Sequence, residues 1–326
     1  MKERQIRVWP EIVHYLPSVS PFQRLAGHEH DIRIDFSGCR QITSTGLTVF
    51  LLRLLKLLYG GAPERTWEAD NLEFNPIFNL AKELEFFHHL NAYCRNASLF
   101  APEVNYNGPF VPTEHSFYNG RKVISFPISR ISFTSHNSER RSAIKAFKKE
   151  VHNQLLILES SYRIHANQLT AILVEIAKNS ADHTSGDAFF GMDIIHILEK
   201  NSIELCFVIG DLGNGINQHI QDHLPSDLKR NRLKHWSLYE SYYFALKHGY
   251  TSTPESERHK NKGLGMSIIL DGAKGINMSL SVFDANSRGI ISELNSITHE
   301  ELRKRFIAFT KDRTFFYYGI LECEAL

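Results

Sequence analysis

Residues 172–184 read ILVEIAKNSADHT, and behind them AFFGMDIIHI (188–197) and IELCFVIG (203–210) change the apolar period from helical to strand-like. On a helix over 167–183, Glu175, Asn179 and Asp182 fall at i, i+4 and i+7 and share one face. Ile172, Ile176 and Ala177 can then turn to a core. A helix feeding two apolar strands predicts an α/β architecture.

The same alternation extends outward. Upstream lie a helical run near 138–160 and the strand-like VISFPIS (123–129). Downstream, GLGMSIILDGAKG (263–275) opens another helix, followed by three strand candidates: MSLSVFD (278–284), RGIIS (288–292) and TFFYYGILECE (314–324). Between Gly215 and Lys262 the chain is polar, with one helical island, SLYESYYFALKHG (237–249).

A separate unit is expected before this. DIRIDF (31–36) alternates as a half-buried strand, and Gly38 follows as a turn signal. Thr43, Ser44 and Thr45 offer caps to a leucine-rich helix over 47–58, on which Arg53 and Lys56 mark the polar stripe. NPIFNLAKELEFFHHLN (75–91) reads as one helix beginning near Pro76. The stretch 101–120, rich in Pro, Gly and Asn, reads as a break. The expected organisation is a first domain over 1–100, a linker and connecting strand over 101–135, and a second domain over 136–326.

With 326 residues, 42% hydrophobic and 22% charged, the chain can bury two cores, which excludes disorder as the main state. Thirty-seven basic against 36 acidic residues leave a net charge of +1, so nucleic acid is not indicated, and the basic run LKRNRLKH (228–235) reads as a solvated face. Four widely spaced cysteines without C-x-x-C read as reduced, mostly buried thiols. LTVFLLRLLKLLYG (47–60) is broken by Arg53 and Lys56 and is too short to span a bilayer. No signal peptide is read at the N-terminus, so no membrane association and a cytoplasmic location are expected. His28, His30, His88 and His89 lack acidic or Cys partners at ligand spacing and read as surface or core imidazoles.

Three segments carry candidate chemistry. Asn179 offers a neutral carbonyl oxygen to a hard cation such as Mg²⁺, and Glu175 is the usual kind of base for activating water or a hydroxyl. In FVIGDLGNGI (207–216), Asp211 ends an apolar strand and can accept a hydrogen bond from the adenine amine, while Gly213 and Gly215 let backbone approach the base. In RHKNKGLGM (258–266), Gly263 and Gly265 stand at a helix mouth whose free N–H groups favour phosphate, with Lys260 and Lys262 as countercharge. On the residues alone, a solvated helix face and an ordinary D-x-G-x-G turn remain open readings.

In order and spacing, E-x-x-x-N-x-x-D on a helix, D-x-G-x-G, a polar stretch and G-x-G before a helix together resemble the three nucleotide boxes of the GHKL ATPases. That family includes gyrase, heat-shock chaperone ATPases and histidine kinases. The resemblance covers about the last 190 residues. It implies a Bergerat-type α/β sandwich that binds ATP and Mg²⁺ under a mobile lid. Glu175 would orient or deprotonate the attacking group, Asn179 would ligate Mg²⁺, and Asp211 would read adenine. Gly213, Gly215, Gly263 and Gly265 would hold lid and phosphates, with Asp182 and Lys262 in support. One departure is that Ile320, not Thr, follows Gly319 on a late strand, where many relatives carry Gly-Thr.

The segment IDFSGCRQITSTGLTVFLLRLL (34–55) is similar to the core of STAS domains, which implies an α/β regulatory unit with Ser44 as candidate phosphoacceptor. Thr43 stands where those proteins usually carry Asp, and a plain capping role for Ser44 or Thr45 is the alternative. The function expected from the pair is a nucleotide-dependent regulatory switch with slow Mg²⁺-dependent hydrolysis, acting on a protein partner or within a homodimer. Alternatives are a serine/threonine kinase of the anti-sigma type and a non-catalytic ATP-binding scaffold.

Overall fold

The structure, a computed structural model, describes residues 4–7, 11–12, 32–35, 39–59, 67–69, 76–93, 112–116, 121–132, 137–183, 187–213, 215, 265–284, 287–290, 307–308 and 315–326. It is a mixed α/β chain that divides into two compact units. One comprises Met1–Arg130 with Phe189–Val208, the other Ile131–Ala188 with Ile209–Leu326.

In the first unit the elements run β1 (Arg4–Arg7), β2 (Glu11–Ile12), β3 (Ile32–Asp35), β4 (Gln41–Ile42), α1 (Ser44–Tyr59), β5 (Trp67–Ala69), α2 (Pro76–Glu83) and α3 (Phe86–Asn91). The parallel order β1-β3-β5 and the parallel pair β2-β4 require crossover connections, and α1 supplies one between β3 and β5. Leu47, Leu51, Leu54 and Leu55 of α1 are buried, as its leucine-rich pattern requires.

The single helix read over 75–91 is instead two. Glu85 takes a left-handed conformation (φ 65°) between α2 and α3, and His89 N–H bonds the Glu85 carbonyl to start α3. The break lets Phe86, Phe87 and Leu90 all bury, with Phe86 stacked on Phe50 at 5.6 Å and Phe87 against Phe78 at 4.7 Å. Aromatic burial here outweighs helix continuity.

The unit continues with β6 (Thr113–Ser116) and β7 (Lys122–Ser125), and β8 (Ser129–Ile131) crosses its boundary at Arg130. Pro127 has no N–H to offer a ladder, so the strand read over 123–129 splits into β7 and β8.

After Arg130 the second unit opens with α4 (Asn137–Glu159) and α5 (Ala166–His183). The chain then returns through β9 (Ala188–Ile197) and β10 (Ser202–Asp211). In the first unit β6 pairs antiparallel with β7 and β7 with β9, placing Ser125 beside Asp193. Both strands of the β9–β10 pair are almost continuously buried, which is why they read as apolar runs.

Among the described residues the second unit continues with α6 (Gly265–Gly275), β11 (Ser279–Asp284), β12 (Ser287–Ile290), β13 (Ile307–Ala308) and β14 (Phe315–Glu324). These strands are antiparallel in the order β13-β12-β11-β14. Its core gathers Val151 and Leu155 of α4, Leu169, Leu173 and Ile176 of α5, and Ile269 and Leu270 of α6. The helix read over 237–249 lies outside the described residues. Cys39, Cys206 and Cys323 are buried free thiols, and burial with the neighbouring Glu322 pushes the Cys323 thiol up to about 11. His89 is a core imidazole whose Nε2 lies 2.6 Å from the Ile128 carbonyl, while His88 is exposed. Among the described residues no helix is long and apolar enough to cross a membrane.

Candidate functional site

Helix α5 sits in the second unit with Ile172, Leu173, Ile176 and Ala177 buried, so the face carrying Glu175 and Asn179 is left only partly covered. That face meets the first turn of α6. A β-carbon built on Gly265 would stand 3.3 Å from Glu175 Oε2 and 3.4 Å from Asn179 Oδ1. Two oxygen acceptors therefore converge on the start of an eleven-residue helix, where N–H groups have no intrahelical partner. The opposite oxygen, Glu175 Oε1, accepts a hydrogen bond from Lys178, one turn further along α5. The two carboxylate oxygens are thus divided between a cation and the helix mouth.

Asp211 ends β10 and is 2% exposed. Its Oδ1 accepts the Gly213 N–H at 2.8 Å, which makes it the organiser of the D-x-G-x-G turn. Gly215 has φ 82°, in the left-handed region where a side chain would be strained, so the last glycine of this motif meets a backbone requirement. All of these residues belong to the second unit. The backbone of Asp182 lies in α5, but its side chain is outside the described residues, as are Lys262 and Gly263.

The first unit holds a second polar constellation, which sequence reading missed. Asp193 of β9 is fully buried, and its carboxylate accepts Ser44 N–H at 2.9 Å, Thr45 N–H at 2.7 Å and the hydroxyls of Thr45 and Ser125. A carboxylate thus occupies the N-terminus of α1, where the helix dipole favours negative charge. The capping side chain is Thr43, whose Oγ1 accepts Gly46 N–H at 3.1 Å, rather than Ser44 or Thr45. Ser44 is fully buried, and its Oγ has no hydrogen-bond partner among the described residues. Within the apolar run of β9, Asp193 carried no periodic signal. The T-S-T triplet of unsatisfied helix-start donors was the available clue.

His115 of β6 extends this network, its Nε2 lying 3.0 Å from Ser125 Oγ. The single hydroxyl proton of Ser125 goes to Asp193, so the His115 Nε2–H is the donor. Burial pushes the His115 pKa below its ordinary 6.5, against the pull of Asp193 and then Glu83.

No family model, curated protein or solved structure matches the chain.

Proposed function

We propose that the second unit binds ATP with Mg²⁺ and serves as a nucleotide-dependent regulatory switch with slow hydrolysis. The observation that carries this reading is the approach of Glu175 Oε2 and Asn179 Oδ1 to Gly265 at the mouth of α6. The three residues come from two boxes far apart in the chain, and the groups fit the ligand: an Asn179 oxygen for a hard cation and a Glu175 carboxylate for the attacking group, beside free N–H groups for phosphate. On this reading the chain has two domains, a Bergerat-type ATPase following a STAS-like regulatory domain, and works in the cytoplasm with a protein partner or a second copy.

The magnesium ion, when bound, would shield the triphosphate charge and polarise the terminal phosphoryl group. Asn179 would hold it through Oδ1, and the first N–H groups of α6 would face the phosphates. Glu175 would accept a proton from the attacking water as its oxygen bonds to the terminal phosphorus and the bond to the ADP oxygen breaks. Asp211 would accept the adenine amine through the carboxylate that also organises its own turn. In a kinase, a protein hydroxyl would replace water. Ser44, fully buried, would have to be uncovered before it could serve as acceptor.

The test is a thermal-shift titration with ATP, with and without Mg²⁺, followed by phosphate release. Binding to the native state alone stabilises by about 2.7 kcal/mol at a hundredfold excess over Kd. Glu175→Ala should lower turnover about 10² to 10⁴-fold with ATP affinity nearly intact. No stabilisation by any nucleotide would sink the reading, and equal phosphate release by the variant and the parent would leave a scaffold.

A further inference from the structure

Helices α5 and α6 touch at three levels whose order shows that they run antiparallel. At one end Gln168 Nε2 donates to the Gly272 carbonyl at 3.2 Å, and a β-carbon on Gly275 would stand 2.5 Å from the same nitrogen. In the middle a β-carbon on Gly272 would fall 2.8 Å from Ile172 Cγ1 and 3.0 Å from its Cδ1. At the far end Gly265 meets Glu175 and Asn179. Ile172 is 1% exposed and lies among the packed residues of α5, so it has no open space into which to retreat. The Gly272 carbonyl also accepts Ile276 N–H at 3.3 Å, which ties this level to the end of the helix.

We propose that Gly272 is a positioning residue of the nucleotide site. Its missing side chain lets α6 close onto Ile172, and that closure sets the distance between Gly265 and the Glu175–Asn179 pair. The inference rests on the nucleotide reading above for its consequence, though its geometry does not. Gly272 and Gly265 are seven residues apart, about 10 Å along a rigid helix axis, so a methyl group that pushes the helices apart at one displaces the other. Site geometry is sensitive to displacements of about 1 Å.

The experiment compares Gly272→Ala, Ile172→Ala and the double variant in the full chain, at a temperature where circular dichroism shows each folded. Gly272→Ala should weaken Mg-ATP binding at least about tenfold, and the double variant, with room restored, should return to within about threefold of the parent. Parental affinity in Gly272→Ala, or a double variant as weak as it, would overturn the proposal. If Gly272→Ala does not fold, the double variant must both fold and bind, and its failure to fold counts against the proposal. A parent that binds no Mg-ATP removes the nucleotide reading alone. The ligand-free NMR signals of the Gly265 amide and the Asn179 side-chain amide then decide, since they should shift in Gly272→Ala and return in the double variant. Unmoved signals overturn the inference whatever the nucleotide result.

Discussion

Glu175 Oε2 lies 3.3 Å from the point a β-carbon would take at Gly265, close enough that a side chain there must displace the carboxylate. The obstructing atoms are the ends of flexible side chains, so the fold can yield cheaply, and alanine favours a helix over glycine by up to about 1 kcal/mol. Gly265→Ala should therefore leave the melting temperature unchanged or raised while weakening Mg-ATP binding about tenfold. A variant that binds as the parent does would show that the helix mouth is not part of the site.

Asp211 is the second point of leverage, because its carboxylate only accepts hydrogen bonds whereas an amide also donates. Asp211→Asn keeps size and, through Oδ1, can keep the bond from Gly213 N–H. The expected outcome is loss of preference for ATP over GTP with little change in stability. Competition binding with the two nucleotides measures it, and an unchanged preference would confine Asp211 to the turn.

The helical and strand periods made α4, α5, α6, β9, β10 and β14 legible, because each buries a face or a whole strand long enough to carry a pattern. The break at Glu85 was not legible, since it depends on where Phe50 and Phe78 stand to receive Phe86 and Phe87. The Glu175–Asn179 face followed from helical spacing, but its approach to Gly265 depends on packing at Ile172 and Gly272. Asp193 was hidden for a related reason: its four donors come from α1 and β7, almost 70 residues or more away in sequence.

That carboxylate offers a stability test independent of any nucleotide. Asp193→Ala would leave two backbone N–H groups and two hydroxyls buried without their acceptor, and each such group costs about 1–3 kcal/mol. A loss of at least about 3 kcal/mol in urea unfolding is expected. Gly191→Ala should also destabilise, because its β-carbon would stand 2.2 Å from Thr48 Oγ1 and 2.7 Å from the Ser44 carbonyl. A change under about 1 kcal/mol in both variants would mean that β9 does not hold the start of α1 in this way.

His115 makes the same region sensitive to acid. Its folded-state pKa lies below 6.5 because burial disfavours the charged ring more than Asp193 and Glu83 favour it. Between that depressed value and 6.5 the unfolded chain binds more protons than the folded one, so stability rises with pH across this window. The contribution is fully present above about pH 6.5 and is lost as pH falls through the folded-state value. His115→Gln can keep a donor toward Ser125 but cannot titrate, so the urea midpoint of the variant should vary less than that of the parent between pH 5 and 6.5. The chain has 17 histidines, so the difference between the two curves, not either alone, isolates the effect. Parallel curves would show that burial of His115 is not coupled to folding.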